Sequence, residues 1–309
     1  MAFSGDTFTH LYDWLLDLIR NEKIKAARLE EEFDGYDTGL SAVAARVTTL
    51  DTATREMLTA NRTYYVRTDG SDSNTGLVDS AAGAFLTIQK AIDTVAGIDL
   101  STFDVTIDVA NATWTPALTL KSLVGDGTVT IFGDSGTPSN VVISTTSAAA
   151  FTAENIVGKW KLQGLKIQTT TSGNGIFASG NVQVDIANLD FGACAAAHIS
   201  PIAGAIVRAV ANYAITGNAE RHINATSGGK FLPSTAITVT LTGTPAFSTA
   251  FVQANRLGSI QGSSITYSGS ATGKRYDSQG NSCIFTNGGG ANFFPGDVAG
   301  TTTADGEYL

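Results

Sequence analysis

The acidic stretch between Tyr64 and Gly76, YYVRTDGSDSNTG, holds side-chain oxygens of the kind that bind a cation. Asp69, Asp72 and Asn74 place these oxygens at short intervals, as calcium loops do. A calcium EF-hand also needs flanking helices and a bidentate Glu at its twelfth position, whereas the residues before this stretch are aromatic and β-branched, which predicts a strand. Asp, Asn and Gly in such an order are typical of turns. We therefore interpret the stretch as a turn and predict no metal site.

The carboxylates are spaced too irregularly to form a glycosidase pair. Such an enzyme needs two carboxylates about 5 Å apart for retention or about 6.5–9.5 Å apart for inversion. Asp104 and Asp108 would share one strand face about 13 Å apart, and Asp185 and Asp190 would point to opposite faces. Three further acids could meet only through the fold: Glu154, Glu220 and Asp277. The sequence predicts no catalytic residue, and a glycan depolymerase stays open as the alternative function.

The basic and aromatic side chains do not indicate a sugar-cleaving or sugar-binding site more strongly than the carboxylates do. A polysaccharide lyase would need a cation beside its base, and none of the following has an acidic partner in phase: Arg208, Arg221, Lys230, Arg256, Lys274 and Arg275. Sugar-binding grooves use aromatic platforms, for which the candidates are Trp114, Trp160, Tyr213, Tyr267 and Tyr276. The repeat described below directs Tyr213 inward, while for Trp160 an outward position, a contact with a neighbouring subunit and a core position all stay open.

Two histidines, His198 and His222, are separated by one period of the repeat described below. They would therefore occupy the same position of adjacent coils, about 5 Å apart. Two imidazoles alone make a poor metal site. We predict stacked histidines on the surface or between subunits.

The composition excludes several classes of protein. The chain has 309 residues and a net charge of −9, and its basic residues form no run along the sequence, so nucleic acid is not an expected partner. No apolar run approaches the roughly 20 residues that cross a bilayer, and the N-terminus lacks the order of a secretory signal. Cys194 and Cys283 are too few for a disulfide framework or a zinc site and are predicted to be buried small hydrophobes. No cofactor is predicted.

Residues 1–60 are rich in charge and aliphatic side chains, unlike the Thr-, Ser- and Gly-rich remainder, and are predicted to be helical. Phe8 and Tyr12 lie in the first helical pattern, and with Trp14 they are predicted to be docking anchors, because aromatic residues dominate the energy of interfaces. After Gly35 and Gly39 the apolar residues follow steps of three and four, as the a and d positions of a coiled coil do: Leu40, Val43, Val47, Leu50, Thr54 and Met57.

A seam this short cannot hold helices together in isolation, because nucleation and association both cost entropy. We therefore predict a coiled-coil neck that a large oligomeric body stabilises. A single helix packed on its own domain stays open as the alternative.

Residues 101–309 repeat with a period of 24. The apolar positions that return in phase are Leu165, Leu189, Tyr213 and Ile237, and two residues later Ile167, Phe191, Ile215 and Val239. The step is also 24 from Val105 to Val129, and it widens to 26 from Val239 to Ile265. Leucine-rich repeats and β-solenoids both have periods in the twenties, but β-branched residues alternating between Gly, Ser and Asn corners favour strands. The predicted fold is mainly β, a right-handed parallel β-helix of roughly eight coils.

Residues 61–100 are predicted to contain an opening strand, the turn discussed above and a short helix. The helical spacing is carried by Phe85, Ile88, Ala91, Ile92 and Val95. A solenoid leaves an unpaired edge and an open core at its end. The helix is therefore expected to cap the first coil.

Two segments resemble a known family. YYVRTDGSDSNTG with the later FLTIQKAID is similar to the opening of pectate-lyase-like β-helices in bacteriophage tail fibres, tailspikes and related virion appendages. ATGKRYDSQGNSCIFTNGGGANFFPGDVAG resembles the end of such fibre proteins, and the resemblance covers residues 62–309. It implies a homotrimer with an N-terminal region that docks onto the particle. The chain departs from tailspikes in being short and in having no separate C-terminal sandwich or chaperone domain.

These observations lead to one functional prediction, a structural protein of the phage virion. The N-terminal helices of a trimeric spike or fibre would attach to other virion proteins in the tail, baseplate, collar or head. The β-helix would project outward, with host surface polysaccharide or a receptor as its further partner. A bacterial surface adhesin, the third class, would carry an export signal.

Overall fold

The computed structural model describes residues 13–20, 31, 34–35, 37–45, 55–234 and 236–309. The chain divides into two compact units, Met1–Arg55 and Glu56–Leu309, where the sequence placed the boundary at residue 60. In the first unit, residues 13–20 and 37–45 are helical. Gly39 lies inside the second of these segments, so the helix continues through this glycine. No helix among the described residues is long and apolar enough to cross a membrane.

The second unit consists almost entirely of short strands. In its first half they are β1 Arg62–Val66, β2 Val105–Val109, β3 Ala112–Trp114, β4 Leu118–Thr119, β5 Thr128–Phe132, β6 Val141–Ser147, β7 Phe151–Glu154, β8 Lys159–Gln163, β9 Lys166–Ser172, β10 Ile176–Ser179, β11 Gln183–Ala187, β12 Asp190–Phe191 and β13 Ala197–Ile202. In its second half they are β14 Ile206–Ala209, β15 Tyr213–Ile215, β16 Ala219–Thr226, β17 Lys230–Pro233, β18 Ile237–Leu241, β19 Ala246–Asn255, β20 Ser259–Gln261, β21 Ile265–Ser268, β22 Thr272–Gly273, β23 Tyr276–Gln279, β24 Cys283–Phe285, β25 Thr301–Thr303 and β26 Glu307–Tyr308. A 3-10 turn spans Pro138–Asn140, and helix α1 spans Ile88–Ala96.

These strands form three parallel sheets that run the length of the unit. Sheet I contains ten strands in the order β1-β2-β5-β8-β11-β14-β17-β20-β24-β26. Sheet II contains seven, β21-β18-β15-β12-β9-β6-β3, and sheet III follows β25-β23-β19-β16-β13-β10-β7-β4, with β22 beside β19. Successive coils contribute one strand to each sheet, and the seven strands of sheet II mark seven complete coils with partial coils at both ends. The expected mainly β fold and parallel β-helix are confirmed.

The alternation predicted for the strands builds the core. Val105, Ile107 and Val109 of β2 are buried, while the residues between them face outward. Ile107 pairs with Ile131 of the next coil, and Ile131 with Leu162 of the one after. The inward residues therefore stack into one apolar column, because side chains on alternate positions of a strand share a face.

The predicted period holds through the middle coils and fails earlier than expected. Leu165 and Leu189 directly precede strands β9 and β12, whose residues pair with a step of 24. Tyr213, however, pairs with Val239 and not with Ile237. Val239 then pairs with Tyr267 and not with Ile265. Each of these coils is longer than predicted, and a strand register that shifts by an even number of positions keeps the same side chains inside.

The N-terminal end of the solenoid carries the predicted helix. Ile88, Ala91, Ile92 and Val95 are its buried residues, and it contacts β1, β2 and β4. Met57, which the spacing placed in the helical neck, forms a β-bridge with Asp99 instead. The strand-like pairing of the chain around Met57 with the first coil overrides its helical spacing.

Aromatic side chains close the C-terminal end. Phe294 comes from the loop between β24 and β25 and is buried against Phe251 and Tyr267. Tyr308 stacks on Tyr276 with ring centroids 3.8 Å apart. The loop thus covers the apolar column where the last coil lacks a strand in sheet II.

Candidate functional site

The acidic stretch from Tyr64 to Gly76 binds the N-terminus of helix α1 through hydrogen bonds. Asp72 accepts hydrogen bonds from the backbone N–H groups of Leu86 and Thr87 at 2.9 Å each and from the Thr87 hydroxyl at 2.8 Å. Thr87 in turn caps the helix by accepting from the Lys90 N–H. The turn interpretation therefore explains the oxygens of Asp72 without a cation. Among the described residues no three His, Cys, Asp or Glu side chains gather as metal ligands would.

Replacing Asp72 by Ala is expected to destabilise the solenoid by about 2–3 kcal/mol, because three donors near the helix N-terminus lose a charged acceptor. Thermal unfolding measures this. Asp79→Ala is the control, since Asp79 is exposed and pairs with Arg67 at the surface, and its loss is expected to stay below about 1 kcal/mol. Calcium or EDTA should leave the unfolding midpoint of the natural chain unchanged. A calcium-dependent midpoint would contradict the turn interpretation.

The carboxylates of the middle coils are held in ion pairs. Asp185 accepts from Arg208 Nε and Nη2 at 3.0 and 2.7 Å across adjacent coils, so the absence of a phased acidic partner predicted for Arg208 is wrong. Asp190 lies 3.1 Å from Lys166 Nζ and accepts from the Thr216 hydroxyl. These carboxylates act as structural acceptors.

A polar chain crosses four strands of sheet III. Arg221 Nε donates to Gln253 Oε1 at 2.6 Å, and Gln253 Nε2 donates to Asp277 Oδ2 at 2.8 Å. Thr301 donates to the other oxygen of Asp277. Sequence reasoning missed this chain, although Gln253 and Asp277 are one period apart, as the inward residues are, and pair in register.

Two further acids lie away from this chain. Asp104 accepts from the Thr128 N–H. Burial, with a smaller contribution from the charge of Asp79, raises the pKa of Asp108. Asp104 precedes strand β2 of sheet I and Asp108 lies on it, so neither is brought against the carboxylates of sheet III. Asp79 and Asp108 line one small cavity, where Asp79 is paired with Arg67, so the fold does bring two carboxylates near each other on this side of the solenoid.

A groove of about 460 Å³ lies between sheets II and III. Its lining includes Thr169, Cys194, Asn218, Glu220 and Phe247. Burial raises the pKa of the Cys194 thiol to about 12, which keeps it protonated and a poor nucleophile. The groove offers hydroxyl and amide groups that can bind a polar chain, and no activated nucleophile.

The two histidines are buried in the core, so their predicted place on the surface or between subunits is wrong. The Nδ1 atoms of His198 and His222 lie 3.2 Å apart, and the Tyr213 hydroxyl lies 2.8 Å from His222 Nε2. Phe191 and Phe251 pack on the two imidazoles with ring centroids 5.3 and 5.2 Å away. Burial lowers the pKa of His198 to about 3 and that of His222 well below its ordinary value. Neutral imidazoles in an aromatic cage are structural groups.

The aromatic candidates for sugar platforms are mostly inside. Trp114, Trp160, Tyr213 and Tyr276 are buried. Trp160 takes the core position among the three that the sequence left open. These rings stabilise the core and offer no ring face to a glycan.

The cysteines divide between the core and the surface. Both are free thiols. Cys194 is buried as predicted, whereas Cys283 lies half-buried on the outer face of sheet I. Alternation along β24 turns Ile284 inward and leaves Cys283 outside, so its predicted burial is wrong.

The N-terminal residues chosen as docking and neck positions are only partly described. Phe8, Tyr12, Val47 and Leu50 lie outside the described residues. Trp14 is helical and 61% exposed. Leu40 and Val43 lie three apart on helical residues 37–45 and are 68% and 57% exposed.

The fold and its surface define a parallel β-solenoid protein, and the described residues up to residue 45 are helical. No protein-family model matches the chain, and no curated protein does. Among solved structures, the pectin methylesterase from Aspergillus niger in deglycosylated form is similar, with a TM-score of 0.47 and 15% identity over 82% of this chain and 86% of that one. A likeness at this level carries no inference about activity.

Proposed function

We propose that the chain is a structural subunit of a bacteriophage virion, a homotrimeric spike or fibre. Its N-terminal helices attach it to the particle, and its solenoid projects outward to contact the host surface. The observation that carries this proposal is the exposed apolar seam of Leu40 and Val43 on a helix. The resemblance of the solenoid's opening and end to phage appendages supports the same conclusion.

The seam favours association because apolar side chains at a and d positions are removed from water when the helices of several chains pack together. Fully burying a Leu or Val side chain contributes about 1.5–3 kcal/mol, and a trimer repeats this contribution in each chain. A seam of this length needs a further body to hold the helices together. The solenoid supplies that body in the proposed trimer.

The helix at residues 13–20 supplies the docking surface in this proposal. Trp14, Leu15, Leu18 and Ile19 are exposed on it, and aromatic residues of this kind dominate the energy of interfaces. A chain without residues 1–33 is therefore expected to form trimers that do not enter particles. Truncated trimers on purified virions would contradict the docking role.

The double substitution Leu40→Asp and Val43→Asp is expected to weaken the trimer and raise the share of single chains, because it places like charges in the seam. Sedimentation equilibrium measures this, with the natural chain expected near three times its 32.0 kDa. Ser41→Asp is the matched control, since Ser41 is exposed on the same helix at a position outside the seam. A natural chain that sediments as one subunit would contradict the proposal.

The depolymerase alternative has less support in the described residues. A glycosidase needs one carboxyl that keeps its proton and one that stays ionised. Asp185 and Asp190 face cations instead, and Asp79, the carboxylate near the buried Asp108, is bound by Arg67. Sustained release of reducing sugar from host capsular polysaccharide would contradict the purely structural role.

A further inference from the structure

Three lysines on the outer face of sheet I form no ion pair among the described residues. Lys159 and Lys161 flank the buried Trp160 on β8 and therefore point outward, and Lys230 lies on β17, three strands further along the sheet. Lys159 Nζ donates to the backbone carbonyl of Asp126 at 2.8 Å, which leaves its charge uncompensated. In the part of the chain that the structure describes, none of the three forms an ion pair. Other cations do so: Arg62, Arg67, Lys121, Lys166, Arg208, Arg221 and Lys274.

Register brings a fourth cation beside them. In backbone register Lys161 lies opposite Asp185 on β11, and Asp185 lies opposite Arg208 on β14, with which it forms its ion pair. Lys159, Lys161, Arg208 and Lys230 together are called the cationic face. Strands in a sheet lie about 4.8 Å apart, so these charges extend over roughly 14 Å along the solenoid. On the four strands that carry the face, β8, β11, β14 and β17, Asp185 is the one carboxylate that opposes them.

The outer faces of the other two sheets are balanced or acidic. On sheet II, Lys166 and Asp190 neutralise each other at 3.1 Å. On sheet III, Arg221 pairs with Glu220 at 2.8 Å, and Glu154 adds a further negative charge. The cationic face is thus a local surplus in a chain of net charge −9.

The groups beside the cationic face suit a sugar polymer. Gln163 pairs with Phe132 in the neighbouring row, where both are partly exposed. An amide N–H donates a hydrogen bond to a hydroxyl oxygen, and an amide oxygen accepts one from a hydroxyl group. Aromatic ring faces stack on the apolar faces of sugars. The charges follow the solenoid axis over roughly 14 Å, which fits an extended chain better than a compact ligand.

We propose that the cationic face binds an anionic polysaccharide, laid along the solenoid axis with its acidic sugars on the lysines. The proposal rests on the proposed function only for the source of the glycan, the host surface. Lys159, Lys161 and Lys230 supply free positive charge. Arg208, held by Asp185, adds a fixed cation between them. Nucleic acid is disfavoured because a duplex carries one charge per about 1.7 Å of its axis and binds through many phosphate contacts, which four cations spread over roughly 14 Å do not supply.

Binding of the full chain to alginate, a polyuronate, and to neutral dextran tests the proposal by calorimetry at low salt. Alginate should bind and dextran should not. The triple variant Lys159→Gln, Lys161→Gln and Lys230→Gln should bind alginate about tenfold more weakly, given the modest strength of each exposed ion contact. The same three positions changed to Arg should retain binding.

Two matched variants separate the face from the overall charge. Lys90→Gln, Lys121→Gln and Lys274→Gln together remove the same charge elsewhere and should leave affinity within about twofold. Asp185→Asn removes the opposing carboxylate and should tighten alginate binding about twofold or more.

Three results would overturn the proposal: equal loss in both Lys→Gln triple variants, equal binding of dextran, or tighter binding of a single-stranded oligonucleotide than of alginate. A chain that sediments as a trimer and fails to bind alginate overturns this inference alone. A single subunit that binds alginate through the cationic face overturns the virion spike and leaves the face as argued.

Discussion

Replacing Trp160 by Ala is expected to lower the free energy of unfolding by about 3–5 kcal/mol, because the indole fills the core and its loss leaves a cavity. Trp160 is 1% exposed and pairs in register with Val129 and Val184 of the adjacent coils. Its Nε1 donates to the Lys121 carbonyl at 2.8 Å, and that acceptor would be left unpaired. Urea unfolding at a fixed protein concentration measures the change.

Phe285→Ala is the control for this substitution. Phe285 is 40% exposed on the outer face of sheet I, so its loss is expected to change stability by less than about 1 kcal/mol. The loss of stability in Trp160→Phe should lie between the losses in Trp160→Ala and Phe285→Ala, since phenylalanine keeps an aromatic ring in the apolar column. Equal losses for Trp160→Ala and Phe285→Ala would show that Trp160 is outside the core.

Acidification from pH 7 to pH 5 is expected to destabilise the protein by about 2 kcal/mol through His198, and His222 adds a further loss in the same direction. In the unfolded chain both imidazoles have a pKa near 6.5, whereas burial lowers the pKa of His198 to about 3 and that of His222 well below its ordinary value. The unfolded state therefore binds more protons as the pH falls below 6.5. Stability is full above that pH and decreases towards pH 3, as urea unfolding across this range would measure.

Two variants isolate the contribution of the histidines. His198→Leu with His222→Leu should flatten the dependence between pH 5 and pH 7, whatever its stability at pH 7. Tyr213→Phe removes the hydroxyl 2.8 Å from His222 Nε2 and keeps both imidazoles, so it should retain the slope. A double Leu variant with the slope of the natural chain would contradict the assignment to these residues.

The sequence was sufficient to predict the solenoid because its signal is repeated in each coil. Val105 and Ile107 return as Val129 and Ile131, and the structure pairs them in that register. Inward positions of a parallel stack must be apolar, and small or flexible residues recur where the chain turns. Gly204 and Gly228, one period apart, both adopt positive φ at equivalent corners, where glycine is unstrained.

The register of the later coils was beyond the same reasoning. Ile237 and Val239 are both apolar and two residues apart, so a shift by two leaves the pattern of inward residues unchanged. The structure selects the pairing of Tyr213 with Val239. The length of each coil, which the packing of its loops decides, determines which of these two residues pairs with Tyr213.

Surface chemistry was harder to predict than the core. Asp185 and Arg208 are separated by one residue less than the period, and they meet because strand β14 is reached by a shorter turn. His198 and His222 matched the period, but their polar character suggested the surface, whereas an aromatic cage surrounds them. Met57 fitted a heptad by spacing, and a β-bridge placed it with the solenoid.

Electron microscopy of virions labelled with antibody to this chain tests the virion assignment most directly. Particles made by the genome that encodes the chain are expected to carry label on projecting appendages, and particles that contain only the chain lacking residues 1–33 are expected to carry none. Label confined to free protein, with bare particles, would contradict the account.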